Sequence, residues 1–185
     1  MLAAHSAIPR IGHLYAVLQV FAYLKKKHNS RIVFDPSEPD LDRSQFVTND
    51  WTTFYGNIKE AVPPNAPKPL GNPVMITAWV DADHVGDQAT RRSRTGFIIF
   101  IQKASIIWYS KKQGSVEGAS FGLEFMAAKV CAETNRGLCY KLRMMGILVE
   151  GPTYMYCDNQ PVLHNTTKPE STLKKKSNSI VYHFM

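Results

Sequence analysis

The order of strand-forming and helix-forming runs from Val74 onward leaves few folds open to this chain. VMITAWV (74–80), RTGFIIFI (94–101) and SIIWYS (105–110) are dense in β-branched and aromatic residues, and the last two are joined by the short polar turn Gln102-Lys103-Ala104, which predicts a hairpin. A helix is predicted from just after Gly118 to about Gly137, with a second helical stretch to about Gly146. PTYMYC (152–157) reads as a fourth strand, and Pro161 suits the first turn of a further helix. The order β-β-β-α-β-α is that of an α/β layer with the last strand beside the first. VMITAWV is so continuously apolar that it is expected to be covered on both faces.

The first 72 residues follow a different pattern. Residues 12–28 place Leu14, Val17, Leu18, Phe21 and Leu24 at helical spacing and end in Lys25-Lys26-Lys27-His28, cations that suit a helix C-terminus. Residues 29–72 are rich in Pro, Asp and Asn and include PPNAPKPLGNP (63–73), so they read as a linker with one short strand around Arg31–Phe34. The expected divisions are therefore 1–28, 29–72 and 73–185.

Composition narrows the class. With 44% hydrophobic and 20% charged residues in 185, the chain is expected to be globular. No apolar run approaches the roughly 18 residues that span a bilayer, so no membrane partner is expected. Pro9 and Arg10 arrive before any apolar core of a signal peptide could form, which makes an intracellular setting, cytoplasmic or nuclear, the expectation. Three cysteines, with no CxxC pair, indicate neither a disulfide framework nor a zinc knuckle. A net charge of +7 permits a polyanionic partner.

Three carboxylates stand beside apolar segments: Asp81 after VMITAWV, Glu124 inside ASFGLEFMAA and Asp158 after PTYMYC. An ionised carboxylate buried without a partner loses several kcal/mol of effective hydration, by a rough estimate, and a divalent cation is a common partner. Two of the three end strands and one lies in a helix, so only the fold could bring them together. Carboxylates suit Mg²⁺ or Mn²⁺, and ions in pairs roughly 3.5–4 Å apart are a recurrent device for cutting phosphodiesters. A metal-dependent nuclease is the leading expectation.

Each acid also has a plainer role open to it. Asp81 suits a turn carboxylate bonded to backbone amides. DADHVGD (81–87) echoes an EF-hand loop, but Val85 takes a ligand position and Arg92 stands where the bidentate glutamate belongs. Glu124 could sit at a gap in the packing of a helix that is otherwise largely buried. At the end of PTYMYC, either Asp158 or Asn159 could cap the next helix. The basic groups Arg91-Arg92-Ser93-Arg94, Lys111-Lys112 and Lys174-Lys175-Lys176 could be solvated faces, yet the first two flank the predicted hairpin and suit phosphate contacts.

The strings VDADHVGD (80–87), RRSRTGFIIF (91–100), IIWYSKKQGSVEGASFGLEFMAA (106–128) and YCDNQPVLHN (156–165) resemble the ribonuclease H domain of copia-type LTR retrotransposon polyproteins. Residues 9–28, PRIGHLYAVLQVFAYLKKKH, resemble the end of the reverse transcriptase region that precedes it. The resemblance implies a ribonuclease H-like α/β fold, a mixed sheet with flanking helices. It also implies hydrolysis of the RNA strand of an RNA–DNA hybrid with two Mg²⁺ (or Mn²⁺) ions. Asp81, Glu124 and Asp158 fall on the family's catalytic, metal-holding positions. Arg91, Arg92, Arg94, Lys111, Lys112 and Ser120 are the expected nucleic-acid contacts, and the remaining reverse transcriptase region is a further expected partner.

The chain departs from the family pattern at its end. It stops at Met185, directly after Tyr182-His183-Phe184, and Val181 stands where many relatives have an aspartate. On that comparison the last strand and helix, with a fourth metal-site aspartate, are expected to be missing. The alternative expectation is a non-catalytic retroelement remnant that at most binds nucleic acid.

Overall fold

A computed structural model describes residues 6–46, 49–58, 63–83, 92–114 and 118–168. The chain divides into two units, Met1–Val33 and Phe34–Met185.

The first unit is built around helix α1, Ile11–Lys26. His13 Nδ1 accepts the backbone N–H of Arg10 at 3.1 Å, which satisfies one donor at the helix start, and Lys25 and Lys26 lie in the last turn, where the helix dipole favours cations. The helical spacing read from Leu14 to Leu24 is realised, but no residue of α1 is buried. Residues 31–34 form no strand.

In the second unit the sheet has the order β3-β2-β1-β4, with β1 at Ile76–Asp83, β2 at Arg94–Ile101, β3 at Ala104–Lys112 and β4 at Tyr154–Tyr156. β1 pairs antiparallel with β2, which forms a hairpin with β3, and parallel with β4, so the expected mixed sheet is present. The other helices are α2, Thr52–Tyr55; α3, Ser120–Met144; and α4, Gln160–Thr167. This is a mixed α/β sheet flanked by helices, consistent with a ribonuclease H-like fold. Among the described residues, no helix is long and apolar enough to cross a membrane.

Helix α3 makes the core. Leu123, Ala127 and Cys131, at spacings of four, pack with Ile76, Ala78 and Val80 of β1 and with Phe97 and Ile99 of β2. A second stripe, Phe125 and Ala128, meets Val162 of α4. The two stripes explain why apolar residues surround the first half of α3, and Glu124 stands between them. The helix runs through Gly137 without a break. A glycine inside a helix costs only about 1 kcal/mol against alanine, and Leu138, Cys139 and Leu142 beyond it pack on the same core. The stop comes at Gly146, whose φ of +76° and closeness to the Lys68 carbonyl, 3.3 Å from an added Cβ, both favour glycine.

Helix α3 covers one face of β1, and the expected two-sided burial is met only over the first half of the strand, where Thr77 on the face away from α3 is fully buried. Ile76, Ala78 and Val80 point to the core, whereas Trp79 on the opposite face stays 44% exposed. Apolar side chains on the uncovered face satisfy one another: the Trp79 and Tyr156 rings stack with centroids 4.9 Å apart.

The proline-rich residues form no regular strand or long helix but are tied to the sheet. Leu70 N–H donates to the Gly146 carbonyl at 2.7 Å, and Val74 makes a parallel bridge with Val149. Further upstream, a 3₁₀ turn at Arg43–Gln45, held by the Asp42 carboxylate, leads to Phe46, whose ring packs on Tyr154 and Tyr156.

Candidate metal centre

Parallel pairing of β1 with β4 sets Trp79 opposite Tyr156. Two residues on, Asp81 and Asp158 come at the carboxyl ends of neighbouring strands, where open α/β sheets collect ligands. Asp81 lies within β1 rather than in a turn after it, because the strand continues to Asp83 against β2. Both aspartates line a groove of about 740 Å³ on the sheet face away from α3, whose walls include Trp79, Ile98, Trp108 and Tyr156.

Glu124 approaches from the first turns of α3. Ligand atoms of Glu124, Cys157 and Asp158 all lie within 4.8 Å of one another. Asp81 is not in that group, and its Oδ1 accepts the backbone N–H of Ala82 at 2.7 Å. Two of the three expected carboxylates are therefore gathered, and the third stands on the adjoining strand.

The capping choice at the start of α4 falls to Asn159. Its Oδ1 accepts the backbone N–H of Val162 at 3.0 Å, which leaves the Asp158 carboxylate exposed and outside the cap. The two residues flanking Asp158 both reach Glu124: Asn159 Nδ2 donates to Oε1 at 3.1 Å, and the Cys157 thiol donates to Oε2 at 3.7 Å. These contacts had one trace in the sequence, since Cys157 and Asn159 adjoin Asp158 in the string CDN. Their bearing on Glu124 needed the packing of α3 on α4.

The donor set fits a hard divalent cation. Burial, more than the carboxylates nearby, pushes the Cys157 thiol up to about 11, so at neutral pH the sulfur carries no charge and the anionic donors are carboxylate oxygens. A carboxylate offers about four lone-pair sites. The bonds from Asn159 and Cys157 leave capacity on Glu124 for a cation, and Asp158 has no hydrogen-bond partner among the described residues.

The expected nucleic-acid contacts gather at one end of the hairpin. Arg94 stands opposite Asp83 on β1 and Lys112 on β3, and Lys111 is paired with Thr95. Arg92 is exposed just before β2, and Ser120 is exposed as the first residue of α3, one turn ahead of Glu124. Arg91 lies outside the described residues, as do Lys174, Lys175 and Lys176.

No family model matches the chain. No solved structure matches it either. Curated relatives do: it is 30% identical over 115 residues to the "Retrovirus-related Pol polyprotein from transposon RE1" of Arabidopsis thaliana, a match covering 62% of this chain and 8% of that protein. The RE2 polyprotein of the same plant matches with the same identity and coverage. The polyprotein from transposon TNT 1-94 of Nicotiana tabacum is 26% identical over 117 residues, 62% of this chain and 9% of the relative. The chain thus spans less than a tenth of the length of the curated relatives it matches, and its homologues are retrovirus-related Pol polyproteins of transposons.

Proposed function

We propose that this chain carries a ribonuclease H-type domain of a retrotransposon Pol polyprotein, one that hydrolyses the RNA strand of RNA–DNA hybrids with Mg²⁺ or Mn²⁺. The observation that carries this reading is the approach of Glu124 and Asp158 to within 4.8 Å at the carboxyl end of β4, beside Asp81 of β1. The transposon polyproteins among its relatives support the setting.

On this reading Asp81, Glu124 and Asp158 hold two cations, which when bound activate water and stabilise the leaving oxygen. Asp158, exposed and lining the groove, is the ligand open to an incoming substrate. Glu124 is the more enclosed ligand, its direction fixed by Cys157 and Asn159. Arg92, Arg94, Lys111 and Lys112 take phosphates along the hybrid, and Arg91 is proposed with them from the sequence alone. Binding through them falls with rising salt as counterions are released. Ser120 meets the nucleic acid at the start of α3. Residues 9–28 join this domain to the rest of a reverse transcriptase region.

The test is cleavage of a labelled RNA–DNA hybrid by purified protein in Mg²⁺ and then Mn²⁺, with Asp158→Asn as control and circular dichroism of both proteins. Cleavage of the RNA strand by the wild type alone is the expected result. A folded wild type that leaves the hybrid intact favours a second reading, a non-catalytic retroelement remnant that binds nucleic acid through its basic hairpin end. The position of Asp81, outside the Glu124–Asp158 group, is the observation on that side.

A further inference from the structure

Asn159 makes two demands on one side chain. Oδ1 accepts from Val162 N–H at 3.0 Å and Nδ2 donates to Glu124 Oε1 at 3.1 Å. Only one orientation of the amide satisfies both, because the backbone needs an acceptor and the carboxylate needs a donor. Aspartate in this place would cap α4 but set a carboxylate against Glu124. Serine or threonine would cap α4 and fall short of Glu124. Asparagine alone among the good capping residues does both.

We infer that Asn159 is a positioning residue that locks Glu124 to the start of α4, so that the carboxylates of Glu124 and Asp158 are held toward a single cation. The inference rests on the metal-centre reading above. Glu124 belongs to α3, whereas Asp158 precedes α4, so their separation depends on how the two helices are joined. Phe125, Ala128 and Val162 supply the apolar part of that joint, which fixes distance but not the rotation of a carboxylate. The Asn159 amide supplies direction, and Cys157 restrains the other oxygen. Hydrogen bonds of this kind, one step behind a ligand, are worth about 10–100-fold in metal affinity.

Asn159→Ser separates the two roles, since it keeps the cap and removes the donor. Mn²⁺ binding to the full chain is measured from the paramagnetic resonance signal of free Mn²⁺, and the melting temperature is taken without metal. The expected result is a melting temperature above that of Asn159→Ala, because the cap is kept, with Mn²⁺ affinity weakened about 10–100-fold. Asn159→Ala is expected to lose both, and Asn159→Thr carries the same test should the serine variant melt lower. In a Glu124→Ala background, Asn159→Ser is expected to cause no further loss, because the amide then has nothing to orient. Mn²⁺ binding by Asn159→Ser as tight as wild type overturns the inference while leaving the metal centre standing, as does an equal loss in the Glu124→Ala background. A wild type that binds no Mn²⁺ overturns the metal centre itself, and the role of Asn159 with it.

Discussion

Gln113 Nε2 donates to the main-chain carbonyl of Leu123 at 2.8 Å, so the residue that follows β3 is fastened to the helical turn that carries Glu124. The same amide nitrogen donates to Thr95 Oγ1 at 3.1 Å, while the amide oxygen is buried without a partner among the described residues. Gln113→Leu removes two donors but also removes that orphaned oxygen, so the cost falls in the lower part of the range for a buried hydrogen bond, about 1–2 kcal/mol. The urea midpoint should drop with an unchanged slope. A midpoint equal to that of the wild type would show that the bond adds nothing net.

Phe46 is expected to anchor the segment before the sheet. Its ring centroid lies 4.6 Å from that of Tyr154 and 5.2 Å from that of Tyr156. Asn49 donates to the Thr167 carbonyl, and Trp51 packs on the Phe125–Ala128–Val162 cluster. The segment thus holds both β4 and α4, the elements on either side of Asp158. Phe46→Ala should cost about 1–3 kcal/mol, less than for a fully buried ring, because Phe46 is only half-buried. A protein beginning at Phe34 should melt as one cooperative unit, and one beginning at Pro73 should melt lower; equal melting temperatures would return residues 34–72 to the status of a linker.

The strands and α1 were legible because their periodicities are strong and local: the β2–β3 hairpin, β4 as the neighbour of β1 and the 3.6-residue spacing from Leu14 to Leu24 are all present. Proline content in residues 29–72 speaks of absent regular structure and says nothing of where single aromatic rings dock, so the packing of Phe46 and Trp51 is not legible there. Gly137 suggested a break in the helix, but continuous packing on both sides of it outweighs its propensity. At the site, residue types named the candidate ligands. Which carboxylates meet depends on side-chain direction across α3, β1 and β4, and the end of β1, at Asp83 where Val80 was expected, places Asp81 in a strand and not in a turn.

Cys131 should resist modification and penalise high pH. It is fully buried on the core face of α3, and burial pushes its thiol up to about 12 from an ordinary value of 9.0, with Asn135 pulling the other way. The folded state therefore disfavours the thiolate. The stability attached to this group is complete below about pH 9 and is lost as pH rises toward 12. Cys131→Ala should lose less of its urea midpoint than the wild type between pH 8.5 and roughly 10.5, after a fixed cost for the small cavity. Parallel declines in the two proteins would assign the alkaline loss to other groups.

On the proposed reading, Asp81 decides whether the centre has a third carboxylate. Among the described residues its carboxylate is held by one bond, from the next backbone N–H, of net worth about 1 kcal/mol by the usual measure of hydrogen bonds. A divalent cation held by Glu124 and Asp158 would attract a third carboxylate more strongly than that. Mn²⁺ at about 100 times its dissociation constant should raise stability by about 2.7 kcal/mol, and a chelator should reverse the shift. Asp158→Asn and Glu124→Gln should each abolish most of it. Asp81→Asn should weaken the same shift while leaving the metal-free melting temperature in place, since Asp81 is exposed and packs on nothing that asparagine would lose. An Asp81→Asn protein with the full Mn²⁺ shift would limit the centre to two carboxylates, too few for the paired ions that phosphodiester hydrolysis needs.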